Sequence, residues 1–494
     1  MKFILTKDLF LIFKLIILPI ILYLFYETII LYDGNKYYYL IFSFISILYL
    51  FSSLKIKASF VHLFLSLFLF LGFWFKFSVN TIYNAKFSNG NYYAEGTGNF
   101  DFSPESLDKL MLISSIALFA FMLGKFANYI KIEKKIDDNK LQINNYIISF
   151  TFIIFIIIFL INFYFQIYLK GLVGNYSENI ILYNFFAWFY QLGSLIILSY
   201  FVDQKIKNRD YFSITLLLIC YLLIFSVTLN SRNYIFILLP YFSAIYIFSV
   251  QNNLKFERET KFYFLIVLSI LLFYFSVIFS NIFRTNDFQL FYKDHTISKI
   301  KPNIEEIENK NIRENQFINL DIITDTRADL RIFQIVKNRF VGIDSLMSVI
   351  GKEDKDFEVY FNSFKEKFLF NKTTYFQENF HNIANTGQYE SNKKHFVVLP
   401  GLVGHLYYSG SATFLFTSIL IISFLVTLFE KYIICKLNSI CLSSLISYLI
   451  VYRIIHFGHV PQQTYKYIFG IMLSLLLIFI LNIFIKYVQR NFKF

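Results

Sequence analysis

Runs of about twenty apolar residues, separated by short polar breaks, recur along almost the whole chain, and one long polar stretch interrupts them. A helix rises about 1.5 Å per residue, so roughly 20 apolar residues cross a hydrocarbon core. Backbone groups in lipid must pair within their own element, which makes such runs helices. The pattern predicts about twelve spans. They cover roughly 9–31, 37–54, 58–78, 107–128, 144–164, 181–202, 211–229, 233–250, 262–283, 403–429, 438–457 and 466–487. The first run has no small-residue cleavage site after it and reads as a retained span. The expected fold is therefore an all-α polytopic membrane protein with about twelve transmembrane helices and one long, partly helical external loop. It divides into an N-terminal transmembrane bundle of about nine helices (1–283), the large external loop (284–398) and a C-terminal group of about three helices (399–494).

The external loop has its own pattern. Asn303 to Gln316 is charged and reads as surface helix or loop. Thr326 to Ile350 is the clearest helix: Leu330, Phe333, Val336, Phe340, Ile343 and Met347 recur at steps of three and four and form one apolar stripe. Arg327, Arg331, Gln334 and Asn338 fall together on the other face. Such a stripe either lies on the headgroup plane or packs against the spans. A shorter helix is expected at Phe357 to Phe370, and Asn371 to Lys394 turns to loop composition.

Composition supports the membrane assignment: 56% of the 494 residues are hydrophobic and 16% charged. Lys and Arg gather in alternate connections, at Lys55 and Lys57, at Lys131, Lys134, Lys135 and Lys140, at Lys205, Lys207 and Arg209, and at Lys431 and Lys436. By the positive-inside rule both termini are expected on the cytoplasmic side, and the long loop outside. The loop itself holds about 17 basic and about 17 acidic residues. The net charge of +13 thus belongs to the connections and reports topology, not affinity for nucleic acid.

Other features exclude more than they assign. The three cysteines, Cys220, Cys435 and Cys441, make no disulfide framework and no zinc spacing. No internal repeat divides the spans into matching halves, as many transporters require. Phe, Ile, Asn, Lys and Tyr are enriched together, and the abundant aromatics need no special role on a lipid-facing surface.

The candidate chemistry lies in a few charged residues at the outer membrane face. Ionisable residues in or at the end of a span are costly and are functional candidates by default. Arg232 follows Asn230–Ser231 at an outer turn, Arg284 ends the ninth span, Arg339 lies in the loop helix, and Arg453 sits in the eleventh span near its outer end. Guanidinium groups stay charged and bind phosphate oxygens bidentately, so four at one face suit a diphosphate. Of the 7 histidines, His381, His395 and His405 flank the entry to the tenth span. His405 is the best placed as a general base, because Pro400, Gly401 and Gly404 open that span around it. No carboxylate cluster with ligand spacing accompanies the histidines, and no metal or other cofactor is expected.

These residues occur in an informative order. A Ser231–Arg232 turn is followed by an arginine at the start of one long outer loop. An Asn-Arg-Phe-x-Gly-x-Asp-Ser stretch, Asn338 to Ser345, lies within the loop, and Leu-Pro-Gly-x-x-Gly-x-x-Tyr, Leu399 to Tyr407, leads out of it. From the seventh span to the tenth, the chain resembles the Wzy-type O-antigen and oligosaccharide repeat-unit polymerases. Where that family often shows an acidic residue after the second glycine, this chain has His405. The resemblance implies a metal-independent glycosyltransferase of the bacterial cytoplasmic membrane. It would transfer a growing undecaprenyl-diphosphate-linked glycan to the next lipid-linked repeat unit on the outer face. The expected roles are catalysis by His405 and Arg284, diphosphate binding by Arg232, Arg284, Arg339 and Arg453, and glycan binding by Arg327, Arg331 and His381. The expected partners are the lipid-linked oligosaccharide, membrane lipids and a chain-length regulator protein.

Two alternatives remain at the level of sequence. An O-antigen ligase, or another polyprenyl-dependent glycosyltransferase, would use the same donor. A flippase for lipid-linked oligosaccharides belongs to another class. It would carry short loops and charges along a central cavity, whereas here the polar mass is external.

Overall fold

The computed structural model describes residues 4–54, 59–87, 100–130, 145–165, 180–207, 238–251, 341–365, 400–437, 439–455 and 461–491, with a few single positions between them. Among the described residues the chain is helical with no strand. The helices are α1 (Ile4–Leu31), α2 (Lys36–Ser53), α3 (Phe60–Leu69), α4 (Lys76–Phe87), α5 (Pro104–Leu123), α6 (Asn145–Phe165), α7 (Ile180–Trp188), α8 (Ser194–Lys207) and α9 (Leu238–Gln251). They continue with α10 (Ile343–Ile350), α11 (Phe357–Lys365), α12 (Gly401–Tyr407), α13 (Ala412–Leu437), α14 (Ile440–Ile455) and α15 (Pro461–Asn491). One π-helical turn, Phe70–Phe75, joins α3 to α4; another, Phe189–Gly193, joins α7 to α8; and a 3-10 turn, Gly124–Tyr129, extends α5.

Four stretches are long and apolar enough to cross a membrane: Phe60–Ile82, Pro104–Tyr129, Ile181–Asp203 and Ala412–Cys435. Shorter apolar helices cover Leu18–Leu31, Ile153–Phe165, Leu238–Phe248, Ile440–Ile455 and Thr464–Ile480. Among the described residues the chain is thus helical throughout, with the apolar helices of a membrane protein. The expected spans 211–229 and 262–283 lie outside the described residues, apart from isolated positions of the first.

The α3–α4 helix is the hub and is mostly buried, whereas α13 shows most of its surface to the outside. α14 packs against α3, α8 and α9, α2 against α5, and α5 against α13. Small side chains permit these approaches: Ser443, Ser444 and Ser447 are buried in α14, and Ser444 donates to the Pro240 carbonyl at 2.8 Å.

Charged side chains tie the helix ends to one another. The first N–H groups of a helix and its last carbonyls lack internal partners, and the macrodipole favours acids at the start and cations at the end. Glu430 of α13 accepts from the Ser59 hydroxyl and from the backbone N–H of Phe60 (2.7 Å) and Val61 (2.9 Å), capping α3 from a neighbouring helix. Asp203 does the same for α14 through Ile440 (3.2 Å) and Cys441 (3.3 Å). Asp108 receives the Tyr32 hydroxyl and the N–H of Asn35, the residue that caps α2. Lysines serve the opposite ends. Lys431 donates to the Ala127, Asn128 and Ile130 carbonyls, and Lys125 to the Tyr49 carbonyl and the Ser52 hydroxyl. Lys431 belongs to the basic set that gave the sequence its topology signal; here it also closes a helix.

Two local expectations change, and one that had two alternatives is decided. A single helix over Thr326 to Ile350 does not extend through Val341 and Gly342, which are not helical; α10 starts at Ile343, and residues before 341 lie outside the described set. The break has a steric reason. Gly342 crosses Gly72 backbone to backbone, so closely that a Cβ on Gly342 would stand 2.6 Å from the Gly72 carbonyl oxygen. Second, of the two placements open to the stripe, Ile343 and Met347 take packing against the spans. Third, the expected span at 403–429 is interrupted. α12 ends at Tyr407, Gly410 takes φ +70° in the left-handed region, and α13 starts at Ala412. A Cβ at Gly410 would also meet the Lys355 carbonyl oxygen at 3.0 Å. The helix expected from Phe357 is present as α11, described to Lys365.

Candidate functional site

The end of the bundle opposite Glu430 gathers α10, α11, α12 and the last turn of α14. α10 is an eight-residue helix sunk among the π-turn of α3–α4, α5 and α12, with Ile343, Leu346, Met347 and Val349 buried. Glycines set the spacing. A Cβ on Gly404 would lie 3.5 Å from Val349 Cγ2 and 3.8 Å from the Ser345 carbonyl oxygen. Gly401, at φ +66°, lies against the Ile455 carbonyl, where a Cβ would stand 3.0 Å away, and 3.5 Å from Val341 Cγ1. Residues from the loop, from its exit and from the eleventh span are thereby brought to one junction.

His405 lies on α12, ahead of the span that starts at Ala412. Its ring stands 5.3 Å from the Tyr360 ring and 6.3 Å from that of Tyr408, and it is 1% exposed. Burial pushes the imidazole down to about 3, so it is neutral. Tyr360 is packed on Phe414 at 5.1 Å, and burial, with Tyr465 nearby, pushes its phenol up to about 12.

Arg453 is half-buried in the last turn of α14, two residues before the Ile455 carbonyl that meets Gly401. Its guanidinium carbon lies 5.8 Å from the centre of the Tyr467 ring, a cation–π placement, and the Tyr467 hydroxyl donates to the Leu449 carbonyl at 3.4 Å. Lysines and acids alternate between α10 and α11, as Lys352, Glu353, Asp354, Lys355 and Asp356. Lys352 lies 5.6 Å over the Tyr408 ring, and Lys355 donates to the Ile350 carbonyl at 2.9 Å. Burial, then Lys109 and Lys352, push the Lys355 ammonium down to about 8.

His405 and Arg453 are therefore placed at the same junction. Arg232, Arg284, Arg327, Arg331, Arg339 and His381 lie outside the described residues. Sequence reasoning passed over a buried ion pair, Lys76 of α4 with Asp344 of α10. The signals were present: Lys76 interrupts an apolar run, and Asp344 belongs to the Asn338–Ser345 stretch. Asn80, one turn beyond Lys76, is 1% exposed, and its amide atoms have no hydrogen-bond partner among the described residues. No family model, curated protein or solved structure matches the chain.

Proposed function

We propose that this protein is a polymerase of the outer face of the bacterial cytoplasmic membrane. It transfers a growing undecaprenyl-diphosphate-linked glycan to the next lipid-linked repeat unit. The observation that carries the reading is the packing of α10 on α12. The described parts of two of the segments that carry the family resemblance, Val341–Ser345 and Pro400–Tyr407, meet there, and Arg453 stands two residues before the Ile455 carbonyl that meets Gly401.

In this reading the arginines hold the leaving diphosphate. A leaving anion needs fixed positive charge, and a guanidinium in a part-buried site supplies it without a metal. Arg453 takes that part together with Arg232, Arg284 and Arg339, while Arg327, Arg331 and His381 contact the glycan. His405 has a positioning part: a buried, neutral imidazole between two tyrosines is a weak base, and it fixes α12 against α11. The polyprenyl chain stays in lipid, both termini are cytoplasmic, and a chain-length regulator protein is a partner.

Deleting the gene tests this reading against its alternatives. The expected phenotype is single repeat units, on their lipid or on the cell-surface core, with no long chains. Long polymer retained on its carrier would identify a ligase instead. Units trapped facing the cytoplasm would identify a flippase.

A further inference from the structure

We propose that Asp344 accepts the proton of the incoming sugar hydroxyl and that Lys76 positions it for this role. The inference rests on the polymerase reading and supplies the base that His405 does not. Asp344 opens α10, and its Oδ2 pairs with the Lys76 ammonium. Its Oδ1 is buried and has no hydrogen-bond partner among the described residues. Asn80 is in the same condition at both amide atoms, and it shares a helix face with Lys76, four residues earlier. Buried polar groups are nearly always paired, and ionisable residues at membrane depth are kept for function. The combination of a buried, unpartnered carboxylate oxygen, an ammonium and an amide that both donates and accepts fits a sugar hydroxyl, which also does both.

The placement agrees with the chemistry. Val341, three residues before Asp344, lies on Gly401, and Gly401 lies on the Ile455 carbonyl next to Arg453. Asp344 and Arg453 thus each stand within three residues of a contact with Gly401. As the acceptor hydroxyl oxygen bonds to the donor's anomeric carbon, the bond from that carbon to the diphosphate oxygen breaks. The hydroxyl proton passes to Asp344 Oδ1, and the leaving electron pair stays on the diphosphate beside Arg453. A carboxylate at this position contributes typically 10²–10⁴-fold.

The alternative is an ion pair that only holds α10 in place, and a charge swap separates the two. The full-length protein in lipid vesicles is given undecaprenyl-diphosphate-linked repeat units extracted from the deletion strain, and elongation kinetics are measured with thermal unfolding. Asp344→Asn should lower kcat about 10²–10⁴-fold with KM changed by less than about threefold. Lys76→Arg, which keeps the pair, should retain kcat within roughly tenfold. Exchanging the charges, Lys76→Asp with Asp344→Lys, should restore thermal stability towards wild type while kcat stays as low as in Asp344→Asn. Recovery of activity along with stability in the exchanged variant would make the pair structural and overturn the proposal. So would an Asp344→Asn variant as active as wild type. If wild-type protein does not elongate the units at all, the polymerase reading itself fails and this inference falls with it.

Discussion

Arg453→Ala is expected to lower the rate of chain elongation on the order of 10²–10³-fold, the scale seen when one preorganised electrostatic stabiliser is removed. Arg453→Lys should lose most of the same factor although the charge remains, because an ammonium cannot reproduce the planar fork that grips two phosphate oxygens. The Tyr467 ring beneath the guanidinium sharpens the contrast, since it favours a flat, weakly hydrated cation. His405→Phe is the control in the same site. It keeps an aromatic ring between Tyr360 and Tyr408, and the retained rate should be within about tenfold of wild type if the imidazole only positions α12. Elongation by purified variants measures all three. Arg453→Lys at wild-type rate would remove Arg453 from the diphosphate site, and a dead His405→Phe would return His405 to the chemistry.

The largest expected effect on folding is at the glycine crossing. Gly342→Ala puts a methyl group 2.6 Å from the Gly72 carbonyl oxygen, 2.7 Å from its carbon and 2.9 Å from Phe73 Cδ2. Gly72→Ala meets the reverse wall, the Val341 carbonyl oxygen at 2.5 Å. Two backbones cannot yield as a flexible side chain can, so α10 must move away from the π-turn. Overpacking of this kind costs about 1–3 kcal/mol and more where backbone is the obstacle. The expected result is a clear drop in thermal unfolding temperature in detergent. At Gly404 the nearest neighbour is Pro400 Cβ at 3.3 Å, so Gly404→Ala should be milder. Equal stability of Gly342→Ala and wild type would show that the crossing is looser than its geometry implies.

The helices were legible in the sequence because lipid leaves the backbone no other choice, and apolar length alone marks them. In the structure Asn35 caps α2, and Ser103 before Pro104 caps α5. What periodicity does not reveal is where a helix is interrupted for tertiary reasons. The stripe through Phe340, Ile343 and Met347 runs straight across Gly342 in the sequence, yet Gly342 is not helical and α10 begins after it, where Gly72 approaches from a segment some 270 residues earlier. The same limit hid the break at Gly410, where the partner is Lys355. For the site, Arg453 and His405 stood out as costly residues in apolar surroundings. Lys76 and Asp344 were each visible but unremarkable alone, and only their pairing across the fold gives them meaning. The charges at helix ends carried two messages at once. Lys431 reports orientation by its place along the chain and closes the turn at Ile130 by its hydrogen bonds.

The central claim is that this protein itself joins lipid-linked repeat units. The most direct measurement is elongation by the purified full-length protein in vesicles, supplied with undecaprenyl-diphosphate-linked units and a divalent-ion chelator, with products separated by size. The account predicts a ladder of lengthening chains, one released undecaprenyl diphosphate for each bond formed, and the same rate with and without chelator. Units that remain single while the protein is folded, or elongation that stops when divalent ions are removed, would contradict it.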